Sequence, residues 1–176
     1  IAILNLVILY SLLAALYVLT ITLASSIPSL GPTRFGALLA TSGIGVAIGA
    51  LLIAQLGNSL NKKVLPTIGL GSITICLILL GQAKGDLTFT LIICCFLGIS
   101  AALVAIPAQT TLQEDTPEDQ RGKVFGLQNN LVNISLSLPL VVVGALVSRF
   151  GLIAVLWLLA LLALFAAFLE RPWKRC

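Results

Sequence analysis

Residues 152–169 read LIAVLWLLALLALFAAFL. The run carries no charge and no polar side chain able to bind a substrate. As a helix it reaches about 27 Å at about 1.5 Å per residue, close to the hydrocarbon thickness of a bilayer. Apolar and polar positions do not alternate here or in LIICCFLGIS at 91–100, so these segments are helices and not strands of a membrane barrel. A helix that is apolar all round belongs at the periphery, against lipid.

Working outward, five more apolar runs of comparable length appear between short polar breaks. The expected spans are Ile1 to Ala24, Gly36 to Leu56, Leu65 to Leu80, Leu87 to Gln109, Val124 to Val147, and Leu152 to Leu169. The composition agrees: 59% of the 176 residues are hydrophobic and 9% charged, against about 25% charged in soluble domains. The sequence therefore describes an all-α integral membrane protein. The first run lacks the basic start and short apolar core of a secretory signal. With no methionine at position 1 and a beginning inside an apolar run, the chain is expected to be part of a longer protein.

The net charge of +4 comes from basic residues scattered singly or in pairs between the runs, a pattern that fits a membrane address better than a nucleic-acid surface. One face of the expected topology receives Lys62, Lys63, Arg121, Lys123, Arg171, Lys174 and Arg175; the other receives Arg34, Lys84 and Arg149. Positive residues favour the cytoplasm, so both termini are expected there. The chain has no histidine, and Cys76, Cys94, Cys95 and Cys176 have no metal-ligand spacing. No metal or cofactor is expected, three of the cysteines are read as packing residues, and Cys176 is placed for lipidation if it is modified at all.

Three stretches invite a functional reading. Ala37, Thr41, Gly45 and Gly49 form a ridge of small residues on the second span, suited either to close helix packing or to sliding. The fifth span opens with Gln128, Asn129, Asn130 and Asn133. Asn129 and Asn133 lie one turn apart, and their amides are expected to face inward, toward helix neighbours or a water-filled path. Pro107 and Pro139 are expected to kink or open their helices. Finally, four of the six acidic residues, Glu114, Asp115, Glu118 and Asp119, crowd into TTLQEDTPEDQRGKVFG. Thr116, Pro117 and the acids after them read as an N-cap, a first-turn proline and charges on a helix dipole. An exposed loop without a nucleophile is not a general acid–base site. Arg121 and Lys123 can reach lipid phosphates beside it.

That stretch also carries a resemblance. LQEDTPEDQRGKVFGL at 112–127 resembles the "LQ..vP...RGrvf.l" loop between helices ten and eleven of the major facilitator superfamily, especially its bacterial drug-efflux-like members. AQLGNSLNKKVL at 54–65 is similar to a degenerate copy of that family's "GxLaDrxGrkxxl" loop. There Leu56, Lys62 and Lys63 match, while Ala54, Asn58 and Asn61 stand in place of glycine, aspartate and glycine. The resemblance implies the C-terminal six-helix half of a twelve-helix transporter, built as two inverted three-helix repeats, with the substrate path between this half and an N-terminal half. It implies that the first and fourth spans line the path, the second and fifth meet the other half, and the third and sixth are peripheral. Tyr10, Ser11, Tyr17, Gln109, Asn129 and Asn133 then become candidate substrate-path residues, and Lys62, Lys63, Arg121, Gly122 and Lys123 cytoplasmic loop-motif residues.

The expected function is secondary active export of small, uncharged or cationic amphipathic molecules from a bacterial inner membrane. The partners are the substrate, membrane lipid and the N-terminal half. No Asp, Glu or His lies within the six runs, so any proton carrier would belong to that other half. The alternative is a membrane scaffold or partner-binding subunit complete at six helices. An intramembrane hydrolase has no nucleophile–base constellation to support it, so no enzyme is expected.

Overall fold

A computed structural model describes residues 3, 6–15, 32–56, 64–82 and 86–169. Tyr17, Lys62, Lys63 and the basic C-terminal residues lie outside these limits. The described residues form α1 (Leu6–Ala15), α2 (Pro32–Leu56), α3 (Leu65–Gly81), α4 (Leu87–Asp115), a 3-10 turn at Glu118–Gln120, α5 (Arg121–Phe150) and α6 (Leu152–Leu169). No strand occurs among them. Three segments, Gly36–Gln55, Leu87–Asp115 and Glu118–Phe150, are long and apolar enough to cross a membrane; Leu6–Ala15, Leu65–Gly81 and Leu152–Phe168 are shorter apolar helices.

The helix ends follow from local chemistry. Asp86 caps α4, its carboxylate accepting the amides of Thr88 at 3.0 Å and Phe89 at 3.4 Å. The helix then runs past Gln109 to Asp115, because nothing stops it before Pro117 forces Thr116 into an extended conformation, φ −96° and ψ 117°. This corrects the expected cap. Pro117 is itself extended, with ψ 147°, so the next helical residues begin later and the Thr116 hydroxyl donates backward to the Leu112 carbonyl. The acids Glu118 and Asp119 sit in the 3-10 turn, and α5 starts at Arg121. Gly151, at φ +82°, joins α5 to α6 and donates its amide to Val147 O at 2.9 Å. A side chain would be strained in that left-handed backbone.

α4 continues through Pro107 and α5 through Pro139 as single helices, so neither is broken at its proline. One missing donor is tolerable where the flanking turns keep theirs.

The helices pack around α4, which lies against α2 and α3, while α3 also packs on α6. The main core joins Leu9 and Leu12 of α1, Leu70, Ile73 and Leu77 of α3, Val104 of α4, and Leu156 and Leu159 of α6. Between helices in lipid such packing gains dispersion contacts and little hydrophobic transfer energy, so shape decides. The α2–α4 seam makes this concrete. A Cβ added to Gly45 would fall within 3.0 Å of the Cys95 backbone, and one on Gly98 within 3.0 Å of the Ser42 carbonyl; at Gly49 it would lie 2.7 Å from Ala102 Cβ. Only part of the expected ridge is used, since Ala37 is exposed and Thr41 half-buried.

Candidate functional site

A cavity of about 390 Å³ lies among α1, α2, α3 and α4. On α2 and α4 its lining runs from Leu38 to Val46 and from Cys94 to Ala101, so it reaches the middle of both helices. Leu9, Leu12, Leu38, Ile73, Cys94 and Ala101 supply much of the wall. No described lining residue is charged. Ser42 brings a hydroxyl, but this already donates to Leu38 O at 3.1 Å and Leu39 O at 3.0 Å.

The C-terminal end of α4 is built differently. There Gln128 of α5 donates its amide to Gln109 Oε1 at 2.8 Å, in a half-buried contact between helices. Tyr10 of α1 packs on the cluster of Leu6, Ala108 and Leu112, with Val124 and Phe125 of α5 alongside. The pairing satisfies one donor and one acceptor where both are partly withdrawn from solvent. Paired amides of this kind can meet a neutral or cationic polar group by hydrogen bonds, without a fixed charge.

The model of the Major Facilitator Superfamily matches residues 1–173. The chain belongs to that superfamily. Neither the curated proteins nor the solved structures gave a match. As a superfamily transporter, the chain places its apolar helices in a membrane, and its ligand is a small molecule.

Within this transporter chain the candidate residues separate. Tyr10 and Ser11 are half-buried on α1, and Gln109 is half-buried beside the Tyr10 cluster. Asn129 and Asn133 are exposed within this chain, while α5 turns Val143 and Ser135 toward its neighbours. Arg121, Gly122 and Lys123 are exposed at the start of α5. Arg121 reaches Glu118 at 3.5 Å, but with side chains 49% and 88% exposed the pair is screened and contributes little. No cavity lining comes from Glu114, Asp115, Glu118 or Asp119.

Two features escaped the sequence reading. Gln128 was visible as a polar residue, but its choice of Gln109, nineteen positions away, depends on how α4 and α5 lie together. The cavity leaves no residue-level signal, because a leucine lining a void and a leucine in a packed core read alike.

Proposed function

We propose that this chain is the C-terminal half of a twelve-helix secondary transporter that exports small amphipathic molecules by alternating access. In this reading α1–α3 and α4–α6 are the two inverted repeats. The substrate path runs between this half and the N-terminal half, and both termini face the cytoplasm of a bacterial cell. The observation that carries the reading is an uncharged apolar cavity, with neutral hydrogen-bonding groups in Tyr10 beside its Leu9 wall and in the Gln109–Gln128 pair farther along α4. Such surroundings accept an apolar body and orient a polar or cationic end, and they offer a carboxylate substrate no counter-charge. Proton coupling, if used, falls to the other half.

Asn129 and Asn133 are exposed on α5, where amides bared to hydrocarbon would be costly. Facing the N-terminal half or a water-filled path relieves that cost. Replacing both by leucine in the full-length protein lowers export of cationic dyes at unchanged expression. Export equal to the parent would refute their role. Failure of the parent to move any neutral or cationic amphipath, tested with and without a proton gradient, would refute the function itself.

A further inference from the structure

α5 is fastened to its own bundle near its two ends. Near its start Val124 and Phe125 pack beside Ala108 and Leu112 of α4, and Gln128 donates to Gln109 Oε1 at 2.8 Å. Near its far end Val143 is buried in the main core, with Leu146 and Val147 packed against it. Between Phe125 and Val143 no α5 residue joins a hydrophobic cluster among the described residues, and Leu127, Ile134, Leu138 and Val141 are exposed. In the transport reading that outer face meets the N-terminal half, which adds nothing to the bonds between α5 and α4.

The unsupported stretch is also the weakest part of the helix. Pro139 has no amide hydrogen to give the Ser135 carbonyl four residues before it. The Ser135 hydroxyl donates to Leu131 O at 2.6 Å and the Ser137 hydroxyl to Asn133 O at 2.8 Å, a pattern that slightly destabilises helices and often bends them. Pro107 of α4 differs: it is buried, and Val104 in the main core and Ala108 in a second cluster hold the backbone on either side.

We propose that α5 bends at Pro139 and that the Gln109–Gln128 hydrogen bond is the latch holding the segment ahead of the bend, residues 121–138, against α4. The segment beyond Pro139 stays fixed on the core. Residues 116–120 tether the moving end, so the swing is short. The inference goes beyond the transport reading and does not need it, because a helix segment moving within this half is distinct from two halves rocking as rigid bodies.

The test uses spin-label distances in the full-length protein, freed of its native cysteines and held in lipid nanodiscs. Gln55 of α2, Lys123 ahead of the bend and Ser148 beyond it are all exposed. Gln55→Cys is paired with Lys123→Cys and, separately, with Ser148→Cys. The parent should show two 55–123 distances, latched and released, and one 55–148 distance. Gln128→Leu removes the latch, and Gln109→Leu removes it from the other side. A hydrogen bond between membrane helices is strong enough to change the ratio of released to latched molecules about threefold. Each leucine variant should raise the released 55–123 population by that factor and leave the 55–148 distance as in the parent. Adding Pro139→Ala to either variant restores the missing backbone bond, and the released population should fall again. Unchanged 55–123 distances in the leucine variants, or a change in only one of them, overturn the latch. A released population that persists with Pro139→Ala overturns the bend. A shift of the 55–123 and 55–148 distances together means that α5 moves as a whole, and the proposal fails.

Discussion

Gly98 and Gly126 are both helical glycines, yet substitution at the two should change stability in opposite directions. A Cβ at Gly98 runs into the α2 backbone, whereas one at Gly126 meets nothing within 4 Å. Gly98→Ala should therefore destabilise the full-length protein by about 1–3 kcal/mol through overpacking. Gly126→Ala should be neutral or gain up to about 1 kcal/mol from helix propensity. Thermal unfolding in detergent checks the contrast; equal effects would mean that α2 and α4 do not approach this closely. The Gln109–Gln128 contact invites a second measurement. A double-mutant cycle with leucine at each position should give a coupling of about 0.6 kcal/mol, the usual size of a hydrogen bond between membrane helices. Strictly additive single effects would show that the amides do not meet.

Among the elements, α4 depends most on its ends. Asp86→Ala removes a cap that accepts two amides and should cost about 1 kcal/mol, while Asp86→Asn, an equally good capping residue, should keep most of it. Unfolding midpoints of the two variants decide, and equal losses would argue against the cap. The helices themselves were legible in the sequence, because apolar runs flanked by Asp86, Pro117 or Gly151 leave few other structures. Their orientation was not. In a soluble protein an apolar face marks the core, but here Leu138 and Val141 are exposed on α5 while Leu70 and Leu77 are wholly buried on α3, and nothing in their composition separates them. Thr116 was misassigned because a threonine before a proline satisfies the pattern of a cap at either helix; the conformation of Pro117 decided between them.

Across the whole molecule the two halves of α4 differ. The apolar cavity lies along the first half of α4; past the helix midpoint come the Gln109–Gln128 pair and, just beyond it, Glu118, Arg121 and Lys123. The loop beyond that pair was the most readable part of the sequence, since it carried the family pattern, while the cavity exists only once four helices come together. If α4 and α5 each cross the bilayer once, Gln82 and Arg149 lie on one face and Asp119 on the other. Single cysteines at these three positions, in a full-length protein freed of its native cysteines, can be probed with a membrane-impermeant thiol reagent in intact cells and in inverted vesicles. Gln82→Cys and Arg149→Cys should label from outside the cell and Asp119→Cys only from the cytoplasmic face; labelling of all three from one face would contradict this topology.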